Sequence, residues 1–522
     1  MESKGMRGRT KGLTLLAVLC AALCLNSCVS SGIPVRDDQS YALPEEETAF
    51  AAPIGDASLE YAHSAVFYLP RHDGSRLTTV TNTITLSEGR LTEESIVRLL
   101  LEQPGNAVAS PLGGDVKLSL YGANPVEISG DVATVNLSAS ALQMDRESLF
   151  IVANAITNTL TELNKIQYVN TLVMDKKLSL DLSATLPVGA LTRNMGEDLD
   201  ALYEQQLSRR VSTGESASGK RLTATVTLYF PLCAINGIMA EARNVTFTSM
   251  EPAAMAVQLM EEIASGAAVV EGSAAMPMLA KYLTETPVFS QPSGISGSLI
   301  TLRFSAQLDD MLEAVGVSRA SLMASLCYTL GTFLPSIGGI EVYVDGERVE
   351  HVMLGSTSGI LFDDGIQQRA DYAELLMDTC TLYFTDAVEQ KLVAVQRPIP
   401  FYQTTNPRAL LDELFKGPSA ADSVQGVRAL IPAGALKDSD IIGVSLDGDT
   451  LLVNFSNSFL EVGNGITGDE DRLLAYSLVN TLLHAASAKR VAFFAGGSPI
   501  ESFTDEIYWK GWFMEDLGLI GD

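Results

Sequence analysis

Apolar and polar residues alternate in three stretches that share one pattern. Ser64-Ala-Val-Phe-Tyr-Leu-Pro70, Thr225-Val-Thr-Leu-Tyr-Phe-Pro231 and Thr379-Cys-Thr-Leu-Tyr-Phe-Thr385 each run with period two, which predicts a strand with one buried face. Ala65, Phe67 and Leu69 form that face in the first stretch, Val226, Leu228 and Phe230 in the second, and Cys380, Leu382 and Phe384 in the third. Superposing Tyr68, Tyr229 and Tyr383 gives offsets of 161 and 154 residues. A period that long marks tandem domains, not the short units of a solenoid.

The likeness continues downstream. Thr134-Val-Asn-Leu-Ser138, Thr301-Leu-Arg-Phe-Ser305 and Leu452-Val-Asn-Phe-Ser456 read as one strand in three copies, after turns at Gly130-Asp131, Gly297-Ser298 and Asp447-Gly448-Asp449. A helix follows: Ala475, Leu478, Val479, Leu482 and Leu483 fall at i, i+3, i+4, i+7 and i+8, one apolar helical face. Ala153, Ile156 and Leu160 match them in the first copy, and Met323, Leu326 and Leu330 in the second. Strands return over 167–174, 339–344 and 490–495. Earlier helices are predicted over 93–102, through Met255, Leu259 and Ile263, and over 407–415. Asn406 stands as N-cap of the last, with Pro407 at its first position. The Gly- and Pro-containing stretch 284–298 predicts a distorted central hairpin in copy two.

The fold class is therefore α+β: three tandem modules, each an opening strand plus a small mixed sheet packed by two helices. The modules span 59–187, 222–352 and 375–503, with linkers at 188–221 and 353–374 and an aromatic tail at 504–522. That tail holds both tryptophans, Trp509 and Trp512, and has no counterpart in the other copies; folding back onto the third module is its expected fate, partner docking the alternative. Asn136, Arg303 and Asn454 point away from the core face of their strand and are expected on a solvated face, with lining a contact between domains the alternative.

The N-terminus belongs to no module. Lys4, Arg7, Arg9 and Lys11 precede an apolar run from Leu13 to Leu25, the make-up of a secretory signal and too short to span a bilayer. It ends Leu25-Asn-Ser-Cys28, which resembles the bacterial lipobox. Residues 1–27 are thus expected to be a lipoprotein signal peptide and Cys28 the lipidation site. Residues 28–58, with Pro34, Pro44, Pro53 and Glu45-Glu-Glu47, read as a flexible tether.

Of 35 basic and 63 acidic residues, 1–27 hold four and one, so the chain without them carries 31 and 62, a net charge of −31. That excludes nucleic acid as a partner. Cys327 and Cys380 replace apolar residues of other copies and are expected to be small buried hydrophobes, with Cys233 just past a strand. The four histidines, His63, His72, His351 and His484, show no metal-ligand spacing, and no nucleophile motif occurs. Gly355-Ser-Thr-Ser-Gly359 has Thr where the nucleophile would stand. Gly214-Glu-Ser-Ala-Ser-Gly-Lys220 comes near a phosphate loop, but Arg221 takes the place of the hydroxyl residue and a strand follows. No catalytic, cofactor-binding or metal-binding residue is assigned, and no cofactor is expected. The chain reads as a non-enzyme.

Phe415-Lys-Gly-Pro418, Leu430-Ile-Pro-Ala-Gly434, Val453-Asn-Phe-Ser456, Tyr476-Ser-Leu-Val-Asn-Thr-Leu482 and, in copy two, Val342-Tyr-Val-Asp-Gly-Glu-Arg-Val349 together resemble the GerMN domain of GerM-type sporulation and germination lipoproteins. The resemblance implies a core of α-β-β-α-β order similar to ring-building modules. It also implies an extracytoplasmic protein on the cell membrane that is used for assembly in the bacterial envelope, with envelope proteins or itself as partners. The competing expectation is a cell-surface lipoprotein that binds peptidoglycan or a small ligand between modules; a hydrolase ranks third.

Overall fold

In the computed structural model, residues 50–57, 59–88, 91–177, 179, 187–208, 222–293, 296–386, 388 and 390–521 are described. Each opening strand stands outside the mixed sheet, as expected, and is half of a long antiparallel hairpin. Leu59–Pro70 pairs with Leu77–Glu88, Leu222–Pro231 with Ile238–Phe247, and Met377–Asp386 with Leu392–Pro400. In the first hairpin the partner strand has a Thr-rich face, with Thr79, Thr81, Thr83 and Thr85.

The far edge of each hairpin is closed by a threonine. The amide of Tyr68 donates to Thr159 Oγ1 at 3.1 Å, that of Tyr229 to Thr329 Oγ1 at 3.0 Å, and that of Tyr383 to Thr481 Oγ1 at 3.0 Å. A buried strand amide without a ladder partner needs an acceptor, and a hydroxyl on the facing helix supplies it. Ser325 and Ser477 donate back to the carbonyls of Tyr229 and Tyr383.

Those helices, Arg146–Leu160, Arg319–Phe333 and Glu470–Ala485, carry the chain between two parallel strands, a connection that requires a crossover. Val132–Leu137 lies parallel to Tyr168–Val173, Ser298–Phe304 to Ile337–Val344, and Thr450–Phe455 to Arg490–Ala495. Asp145 and Ser318 cap the first two helices through the amides of Ser148 and Ser321. In the middle helix every residue from Ala320 to Phe333 is buried, because the opening hairpin, the sheet and the following segment cover it on all sides. The earlier helices are Thr92–Leu101, Pro252–Ala264 and Pro407–Phe415, the last capped by Asn406 Oδ1 on the Arg408 amide at 3.0 Å. In the middle module the central hairpin keeps only three pairs, Val288–Ser290 against Leu299 to Thr301, the distortion that its Gly and Pro residues predict.

Both linkers and the tail prove to be parts of modules. Val169 bridges Leu191, Ile340 pairs with Gln367, and Val491 bridges Phe513, all antiparallel. Each return strand thus gains one more partner from a closing segment. In the first module Asn158 Nδ2 donates to the Asn194 carbonyl at 2.9 Å and Asn158 Oδ1 accepts from its amide at 2.8 Å. In the third, Asn480 makes the same two bonds to Asp516 at 3.0 and 3.1 Å. The C-terminal segment is therefore no unique extension: Leu191 and Asn194 are the counterparts of Phe513 and Asp516. Residues 353–374 likewise complete the middle module, with Phe362, Gln367 and Tyr372 buried. One bridge and one asparagine clasp leave no periodicity, so these segments could not be aligned by pattern. The later part of the first linker, including the loop of Gly214 to Lys220, lies outside the described residues.

The expected tether also ends in structure. Gly55 and Ala57 donate to the carbonyls of Ile442 and Val444 at 3.1 and 3.0 Å, extending the third module's sheet at its edge. A side chain on Gly443 would meet the Gly55 backbone at 2.5 Å, so glycine permits this approach. Asp56 takes both arms of Arg408 at 2.9 and 3.0 Å, and Phe50 and Ala52 pack with Trp512 on Leu452, Ala492 and Phe494.

Candidate functional site

The place where all three modules meet is built from small polar residues on the outer face of the first module's sheet. The middle module's opening hairpin lies across that face. Thr134 Oγ1 is 3.3 Å from Tyr229 Oη, and Asn170 Nδ2 donates to Thr227 Oγ1 at 2.8 Å. Ser129, on the Val126–Ser129 strand, joins all three modules: its hydroxyl accepts from the Ala240 amide at 2.9 Å and donates to the Met377 carbonyl at 2.6 Å. Asp378 adds the Gly130 amide at 3.1 Å and an ion pair with Lys165.

Deeper in the junction sits Arg369. Its guanidinium pairs with Glu127 of the first module, bonds Thr332 Oγ1 and the Tyr328 carbonyl, and lies 4.0 Å from the centre of the Tyr328 ring. The Tyr328 hydroxyl donates to Glu127 at 3.1 Å. Tyr328 stands where the other modules have the clasping Asn158 and Asn480, so this departure from the repeat makes the contact between modules. Burial pushes the Glu127 carboxyl up while Arg369 and Tyr328 pull it down. Burial likewise opposes the charge on Arg369, but Glu127 holds the guanidinium protonated above its usual range. Arg369 and Glu127 thus meet each other and nearby hydroxyls. Such a cluster fixes one arrangement of modules.

The sequence-derived positions are scattered. Cys28, the signal segment and its lipobox lie outside the described residues. Asn136 and Asn454 are buried, not solvated: Asn136 donates to Asp175 Oδ1 at 2.6 Å and accepts the Asp175 amide at 3.0 Å, while Asn454 holds the Gly497 amide at 3.2 Å and the Pro53 carbonyl at 2.9 Å. They clasp the turn that follows the return strand, and the second also fixes the docked N-terminal segment. Arg303, half-exposed, lies 3.8 Å from the centre of the Tyr343 ring and pairs with Glu285 at 2.7 Å. His72 sits in a turn against Ser110 Oγ and the Asn106 carbonyl, both at 3.0 Å. His484 closes the last turn of its helix, 3.5 Å from Tyr383 Oη.

Cys327 and Cys380 are buried, and burial raises both thiols, that of Cys380 to about 12, out of the nucleophilic range. Among the described residues no cluster of His, Cys, Asp and Glu could hold a metal ion, and no helix is long and apolar enough to cross a membrane.

These features define an α+β protein whose modules are riveted by buried polar contacts. Residues 66–179 and 381–501 match the family model Germane, described as sporulation and spore germination. Both matched segments are thus similar to that family. The chain is also similar to the tandem GerMN domains of the sporulation protein GerM from Bacillus subtilis, at 18% identity over 56% of this chain and 97% of that one, with a TM-score of 0.21. The first GerMN domain of the same protein is 22% identical over 25% of this chain and 96% of its own length, with a TM-score of 0.19. A putative lipoprotein from Clostridium perfringens is 20% identical over 25% and 83%, with a TM-score of 0.15. No curated protein sequence matches.

Proposed function

We propose that the chain is a lipid-anchored, extracytoplasmic scaffold that serves assembly of the bacterial envelope during sporulation or spore germination, without catalysis. The observation that carries this reading is the match of the first and third modules to a sporulation and germination family. The middle module, which the family model leaves unmatched, has the same element order and the same threonine-to-amide bond, and we take it as a diverged copy. The buried junction supports a scaffold role, because its polar groups are used up in holding the modules together. The lipobox at Leu25 to Cys28 supports the anchor. With Cys28 lipidated, the first folded protein after the tether is the third module, on which residues 50–57 dock.

Lipid labelling and membrane fractionation test the anchor. The wild-type chain should carry label and sediment with membranes, and Cys28→Ala should give unprocessed precursor or released protein. Labelling that persists in Cys28→Ala defeats the assignment. Expression confined to growth, with unchanged spore yield and germination on deletion, defeats the process.

A further inference from the structure

The first module holds a second polar feature beside the junction. Between the helix Arg146–Leu160, the return strand Tyr168–Val173 and the closing segment lies a cavity of about 60 Å³. One water takes ~10–15 Å³ on this measure, so the space equals about four waters. Its walls are mainly apolar, with Phe150, Val173 and Leu191 among them. Four polar residues line it as well: Arg146, Thr171, Lys177 and Ser179.

One of these has an unmet need. Lys177 is only 3% exposed, and the charge of Arg369 repels it. The hydroxyl of Thr171 is buried without a hydrogen-bond partner. Arg146 spends one nitrogen on the Ser179 carbonyl at 3.2 Å. A buried hydroxyl without a partner costs free energy, and it is retained beside two cations around one space. The polar residues of the walls are two cations and two hydroxyl residues, with no carboxylate.

We infer that this cavity binds a short aliphatic carboxylate, whose head accepts from Lys177, Thr171 and Arg146 while its carbon chain lies against Phe150, Val173 and Leu191. The site does not rest on the scaffold reading, although the Lys177 carbonyl also accepts from the Ser336 amide of the middle module at 2.9 Å. Burial lowers the Lys177 ammonium to about 7, so anion binding should weaken as pH rises through that value. The other charged groups that face Lys177 are Arg146 and Arg369, and guanidinium groups stay protonated throughout that range.

Calorimetric titration of the full chain with sodium butyrate, and thermal melting with butyrate, 1-butanol or inorganic phosphate at equal ionic strength, test the assignment. Butyrate should bind once per chain and raise the melting temperature, while butanol and phosphate should not. Its affinity should fall at least about ten-fold between pH 6 and pH 9 as the Lys177 proton is lost. Lys177→Met, which keeps the stem and removes the charge, should abolish binding. Thr171→Val should weaken it, and it serves as the second variant should Lys177→Met not fold. Equal stabilisation by phosphate would mean a general anion site and overturn the carboxylate assignment. Absence of butyrate binding at pH 6, unchanged affinity at pH 9, or full binding by Lys177→Met would overturn it too.

Discussion

Trp509 lies at the centre of the third module's aromatic core, and its replacement gives the sharpest test of how the closing segment works. The ring is fully buried against Phe459, Phe493, Phe503 and Phe513 at centroid distances of 5.9, 5.6, 5.2 and 5.9 Å. Its Nε1 donates to Asp471 Oδ1 at 2.7 Å, and the other oxygen of that buried carboxylate holds the Thr504 amide and hydroxyl at 3.0 and 2.7 Å. Trp509→Ala removes the ring and leaves a cavity, a loss of about 3–5 kcal/mol. Depriving a buried carboxylate of one donor adds roughly 1–3 kcal/mol. Trp509→Phe keeps most of the ring volume and removes the donor, so it isolates the second effect at about 1–3 kcal/mol.

The chain has only two tryptophans, so in either variant Trp512 alone reports by fluorescence, and it reports on the third module. Urea unfolding followed at its emission should show a large drop in midpoint for Trp509→Ala and a smaller one for Trp509→Phe. If both midpoints stay within about 0.5 kcal/mol of wild type, the range of ordinary surface substitutions, the closing segment is not part of the core and the reasoning fails.

Other expectations follow from the junction and the closing segments. Arg369→Met strands the Glu127 carboxylate in a buried site and should destabilise the chain by about 3–5 kcal/mol; calorimetry showing an unchanged melting profile would refute the rivet. A fragment of residues 222–352 lacks the buried Phe362, Gln367 and Tyr372 and should melt without cooperativity, whereas 222–376 should show a sharp transition by circular dichroism. Lys177 is held below its unfolded value, so its contribution is complete above the ordinary lysine range near 10.4 and is lost as pH falls toward about 7. Stability of the first module should therefore rise with pH across that window by up to about 1.4 kcal/mol per unit. Lys177→Met should flatten the slope, as denaturant melts at pH 7, 8 and 9 would show.

The amino-acid sequence by itself determined the repeated elements. Alternation around Tyr68, Tyr229 and Tyr383 marked the opening strands, and the helical spacing of Ala475, Leu478, Val479 and Leu482 marked the crossover helix, because a core face imposes its period on the residues that fill it. Asn406 and Pro407 announced their helix through local chemistry alone. The tertiary structure decided everything that rests on single contacts between distant positions. The clasps of Asn158 on Asn194 and Asn480 on Asp516 make the closing segments part of their modules, yet no periodic signal accompanies them. Asn136 and Asn454 sit on the side of a strand that a half-solvated sheet would expose, and they are buried because a turn, and for Asn454 the docked N-terminal segment, covers them. Tyr328 showed in the sequence only as a break in the repeat. Its meaning came from Glu127 and Arg369, 201 residues before it and 41 after it. A polar residue's partner is set by where the chain returns, and only the folded structure contains that information.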